Sequence, residues 1–115
     1  MGRLTTHVLD TAQGIPGAGI DIKLFSLDAR RHLVATATTN ADGRTEQPLL
    51  ADETMLSGSY ELEFAIGDYF AATGIPAEDP PFLGHVVVRF TISDSQSYHI
   101  PLLVSPWSYS TYRGS

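Results

Sequence analysis

With 115 residues, a net charge of −6, only seven basic residues and no cysteine, the chain is sized for a single domain over residues 1–115 and lacks the clustered Lys and Arg that bind a phosphate backbone. Neither a disulfide framework nor a thiolate metal site can form, and no apolar run approaches the ~20 residues of a membrane span. Because no charged-then-apolar leader opens the sequence, a cytoplasmic protein with no nucleic-acid and no membrane partner is expected.

Period-two patterning dominates, starting with "LTTHVLD", where Leu4, Thr6 and Val8 share one face and Thr5, His7 and Leu9 the other. A turn follows at Gly14 to Gly19, around Pro16. "IDIKLFSL" sets Ile20, Ile22 and Leu24 against Asp21 and Lys23, and "HLVATATT" is a β-branched run. "NADG" at 40–43 is a turn signal, after which Arg44 is by default a solvent-facing strand start. "GSYELEFAIG" places Tyr60, Leu62, Phe64 and Ile66 opposite Glu61 and Glu63, as a half-buried antiparallel strand requires.

The rhythm then breaks. Asp68 to Thr73 is predicted as a short helix, with Gly74 and Pro76 as its stop. The prolines of "PAEDPPFLG" forbid a regular ladder, so that stretch is a loop. "HVVVRFTI" returns to strand with Val86, Val88, Phe90 and Ile92 inward. "SDSQS" turns the chain, and "SYHIPLLV" sends Tyr98, Ile100 and Leu102 to the core and His99, Pro101 and Leu103 away from it. Seven or eight short strands at this spacing predict an all-β sandwich.

The first and last of these long strands are apolar on both faces, and each carries a histidine on the second one. In a two-sheet sandwich only one face is covered by the other sheet, so the second must meet a subunit or a ligand. A composition of 43% hydrophobic and 17% charged residues mildly favours an oligomer for the same reason. Elsewhere the chemistry is sparse. His32 and His85 sit beside turns, Asp52-Glu53 and Glu78-Asp79 lie in expected loops, and no His-x-His or His-x-x-x-His spacing supports a metal site. No metal and no cofactor are expected. The residues alone reach a sandwich with an apolar, histidine-bearing outer face.

"LTTHVLDTAQGIPGAGIDIKLF", "TNADGRT" and "YHIPLLVSPWSYSTYRGS" resemble, over essentially the whole chain, the transthyretin-related 5-hydroxyisourate hydrolases of purine catabolism. These share a fold with the hormone carrier transthyretin. Trp107, where tyrosine is more usual, is a departure outside the motif residues. The resemblance implies a transthyretin-like sandwich of two four-stranded sheets with one short helix. It also implies a homotetramer, a dimer of dimers with a central channel. The implied activity opens the cyclic amide of 5-hydroxyisourate to give 2-oxo-4-hydroxy-4-carboxy-5-ureidoimidazoline in urate degradation. The family's functional residues map onto His7, Arg44, His99 and the closing Tyr112, Arg113, Gly114 and Ser115. At the positions of His7, Arg44, His99 and Tyr112 the carrier holds other residue types, so this chain has the hydrolase set.

Opening a cyclic amide with water needs a base, a donor group where oxyanion charge develops, and a means of holding the substrate plane. The expected catalytic residues are His7 as water activator, Arg44 as oxyanion and substrate clamp, His99 as orienting partner or proton shuttle, and Ser115 through its hydroxyl and α-carboxylate. The two histidines could trade roles. His7, Arg44, Tyr112, Arg113 and Gly114 are expected to bind the small-molecule substrate, Tyr112 by narrowing the passage. A base must be neutral near pH 7, and a guanidinium beside an imidazole favours that. A carrier with an apolar channel and no chemistry, or an adhesive module, are the rival classes; turnover separates either from a hydrolase.

Overall fold

The alternating faces of the strands become two sheets packed against each other in the computed structural model, which describes residues 2–75, 78–94 and 96–114. In chain order the strands are β1 (Arg3–Asp10), β2 (Ile15–Pro16), β3 (Asp21–Ser26), β4 (His32–Thr38), β5 (Leu50–Ala51) and β6 (Gly58–Phe64). Helix α1 (Ile66–Thr73) follows, and then β7 (Val86–Ile92), β8 (Tyr98–Val104) and β9 (Tyr109–Thr111). One sheet runs β2-β1-β8-β9, with the short β5 also pairing to the start of β1, and the other runs β4-β3-β6-β7.

The second sheet is antiparallel throughout. In the first, β1 and β8 pair in parallel from Leu4↔Tyr98 to Asp10↔Val104. Parallel neighbours need a long crossover between them, and here that crossover is the entire second sheet. Between the sheets Leu4, Val8, Ile22, Leu24, Leu62, Phe64 and Leu102 are fully buried. The face assignments for β1 and β8 hold at every core position, since Thr6, Tyr98 and Ile100 are buried as well.

Helix α1 begins two residues before the expected Asp68. Ile66 continues the period-two series of β6 by coincidence, yet it opens the helix and is buried together with Phe70, four residues on, as one helical face requires. Gly67 makes the early start possible: its N–H donates to the Gly84 carbonyl at 2.8 Å, and a Cβ there would come within 3.1 Å of the Gly84 and Leu83 backbone. Gly74 closes the helix in the left-handed region at φ 79°. The Tyr69 hydroxyl donates to Asp10 at 2.7 Å, pinning the helix to the end of β1. Asp10 is buried, and it also accepts from the backbone of Ala12 and Gln13 and from the Gln13 amide. A buried carboxylate so fully bonded is a stable anchor.

Glu61 and Glu63 do face outward from β6, but Glu61 is only 7% exposed. Arg31 and Arg89 cover it at 3.0 and 2.8 Å, and Arg31 also reaches Glu63 at 3.2 Å. The Arg31 guanidinium lies 3.6 Å above the Phe25 ring. These arginines, Arg89 first, hold the Glu61 carboxyl below the usual carboxylate range.

Candidate active site

Directly paired residues of neighbouring strands project to the same side, so the register of the first sheet builds the site row by row. On the outer face Thr5 pairs with His99, His7 with Pro101, and Leu9 with Leu103. The rows extend sideways: His7 bridges to Arg44 and His99 bridges to Gly114. His7 and His99 therefore stand on adjacent strands one row apart. The closing segment continues the β8–β9 register past Leu102↔Thr111 to His99↔Gly114, which sets Tyr112 beside Pro101 on the His7 row.

Arg44 reaches this face because a tight turn lies flat on β1. Asn40 organises it: its side-chain oxygen accepts from the Asp42 and Arg44 N–H groups at 2.9 and 3.2 Å, and its own N–H donates to the Arg44 carbonyl at 2.7 Å. The Val8 N–H then donates to the Gly43 carbonyl at 2.8 Å. Gly43 has φ 76°, and a Cβ at that position would collide with the Val8 carbonyl oxygen. Only glycine allows both the conformation and the approach.

On the other flank the Gly114 N–H donates to the His99 carbonyl at 2.7 Å. A Cβ on Gly114 would press the His99 ring at 2.8 Å. The Arg113 guanidinium sits 4.2 Å over the ring of Tyr98, a residue of core parity, so this contact ties the closing segment to β8 from the side opposite His99. Tyr112 is exposed. Ser115 lies outside the described residues.

Arg3, Thr5, Arg44, Ser97, Tyr98 and His99 line a recess of about 410 Å³. A larger one of about 490 Å³ lies beside α1 against Phe82 and Trp107, but it carries no imidazole or guanidinium. Chemistry, not size, singles out the outer face of β1 and β8. Among the described residues no group of three or more His, Asp or Glu side chains is arranged to hold a metal ion.

Electrostatics make both imidazoles available as neutral groups. Burial and then the Arg44 guanidinium lower the His7 pKa, while a hydrogen bond to the Asp42 backbone and the Asp42 carboxylate act in the opposite sense. Burial, Arg44 and then His7 itself lower the His99 pKa. That the mutual influence of these groups is felt at all places Arg44, His7 and His99 within one electrostatic neighbourhood. The Nδ1 of His99 is 2.8 Å from the Thr5 hydroxyl.

His7, Arg44, His99 and Gly114 are thus brought together, with Tyr112 at their margin and Arg113 turned to Tyr98. Sequence reasoning placed Thr5 on the correct face without seeing its partner, because a parallel register between segments 94 residues apart leaves no local signal. Asn40 and Asp42 were visible only as turn residues.

The HIUase/Transthyretin family model matches residues 4–114. A 5-hydroxyisourate hydrolase of Ralstonia nicotianae is 56% identical, with all of both chains covered. Solved structures of similar fold include the following two. A 5-hydroxyisourate hydrolase of Klebsiella pneumoniae superposes with a TM-score of 0.84 at 31% identity over 100% of both chains. An (S)-allantoin synthase superposes with a TM-score of 0.94 at 45% identity over 99% of this chain; the chain spans 44% of that longer polypeptide. The chain belongs to the HIUase/Transthyretin family.

Proposed function

We propose that the chain hydrolyses 5-hydroxyisourate, opening its cyclic amide in urate catabolism, as its relatives of that name do. The observation that carries this reading is the His7–Arg44 bridge, with His99 one row away on a face that keeps both imidazoles neutral. His7 takes a proton from water as the water oxygen bonds to the amide carbon. Arg44 donates to the carbonyl oxygen as it becomes an oxyanion; its planar fork of donors never loses its charge. The C–N bond then breaks, the ring nitrogen receives a proton, and a carboxylate is left. Tyr112 closes one side of the substrate plane and Gly114 lets the backbone pass close to His99.

Four copies arranged as a dimer of dimers complete the site, with outer faces opposed across a channel. Half-buried Leu9 and Leu103 beside the histidines support this pairing, since apolar groups on such a face are removed from water by association. No described helix is long and apolar enough to cross a membrane; a cytoplasmic location is part of the same reading and is checked by fractionation. The direct test generates 5-hydroxyisourate with a urate-oxidising enzyme and follows its ultraviolet decay. Acceleration proportional to the amount of this chain is expected, and a decay rate identical with and without it would overturn the reading.

A further inference from the structure

We infer that Thr5 is a positioning residue that donates its hydroxyl hydrogen to Nδ1 of His99, so that neutral His99 carries its own hydrogen on Nε2 and meets the substrate as a donor. The inference rests on the hydrolase reading and divides labour between the two histidines.

The geometry begins with register. Thr5 and His99 are directly paired on β1 and β8, and their side chains meet at 2.8 Å between Oγ1 and Nδ1. A neutral imidazole has one N–H and one bare nitrogen, and the partner of one nitrogen selects the state of the other. A hydroxyl serves as donor or acceptor, so either neutral tautomer satisfies this contact, and the charges around His99 decide first that its ring stays neutral. Arg3 and Arg44 share the recess with it, and His7 stands one row away. Positive charge disfavours an imidazolium, and a threonine oxygen lacks the negative charge with which a carboxylate would stabilise one. His99 is therefore poorly placed to collect a proton and well placed to offer a hydrogen bond.

His7 is backed in the opposite way. The Asp42 backbone and carboxylate both act on its ring in the sense that favours the protonated form. A ring that gives its hydrogen to a carbonyl keeps a bare second nitrogen, the state a general base needs. One histidine beside a carboxylate and the other beside a hydroxyl make a base and a hydrogen-bond donor on one face. Proton balance follows: the proton that His7 takes from water is the one it returns to the departing ring nitrogen, while His99 holds the oxyanion through its Nε2–H and keeps its own hydrogen.

The test combines a spectrum with kinetics. In the wild-type chain, ¹⁵N correlation of the imidazole rings above their titration reads the His99 tautomer without any variant. A hydrogen on Nε2 is expected, and one on Nδ1 would overturn the inference. Thr5→Val keeps the β-branched shape that suits the strand but removes the donor. It should lower kcat about ten- to a hundredfold, the usual range for an outer partner of a functional imidazole, with KM changing less than about threefold. Thr5→Ser should restore most of the rate. A folded Thr5→Val with wild-type kcat and an unchanged His99 tautomer would refute the role. If the wild-type chain left 5-hydroxyisourate untouched, the hydrolase reading would fall while the spectrum still decided the tautomer.

Discussion

The two outer faces of the sandwich are built from the same alternation yet differ in how they treat charge. On the second sheet Glu61, Glu63, Arg31 and Arg89 form the three ion pairs found among the described residues, and Arg31 covers Phe25. On the first sheet Arg44 stands beside two imidazoles whose pKa values are lowered, and among the described residues neither histidine forms an ion pair with a carboxylate. A face that meets water compensates its charges; on the proposed hydrolase reading the other face holds a cation and a base for the substrate. Pairs whose arginines stand in water, as Arg31 and Arg89 do over the covered Glu61, contribute little to stability because water screens them, so on the proposed reading the contrast is one of function.

The largest effects should fall on the first face. His7→Ala or Arg44→Ala should lower the rate of 5-hydroxyisourate opening by about two to four orders of magnitude, measured as kcat on material whose circular dichroism matches wild type. Gly43→Ala should follow, destabilising the chain by about 2 kcal/mol, since it forces a Cβ into the left-handed region and against Val8. Chemical denaturation reads that cost, and activity should fall with it because the turn carries Arg44.

A subtler probe is pH. Both histidine pKa values are lowered in the folded chain, so the acid limb of kcat/KM should lie below the unperturbed value of about 6.5. As pH falls through that value the unfolded chain takes up protons first. The stability held by these neutral imidazoles is complete above about pH 6.5 and is lost on descending toward the folded pKa values. Arg44→Gln removes one of the depressing charges and should move the residual acid limb upward; a limb that stayed in place would show that burial alone sets it. The smallest effect is expected on the other face, where Glu61→Gln should leave turnover unchanged and shift the denaturation midpoint less than Leu62→Ala. A loss of activity there would erase the distinction between the faces.

Much of this is legible in the sequence. Alternation identified the inward residues of β1, β3, β6, β7 and β8, because a strand's side chains can only point up or down. The short β2 and β5 escaped notice, since two residues carry no period. Helix α1 was placed two residues late because Ile66 fits both a strand and a helix pattern. Among the site residues, the resemblance to a known family marked His7, Arg44 and His99, while Thr5 was seen as a strand residue on the right face and nothing more.

What the order of residues settled, then, was parity: which side chains leave the core, and that two of them are imidazoles. Distance was settled by folding. Residues 7 and 99 become neighbours because β1 and β8 pair in parallel across the whole second sheet, and Arg44 joins them because a glycine lets its turn lie against the β1 backbone. Parity is a property of the strand's own covalent geometry, whereas register between distant strands emerges from the packing of the entire core.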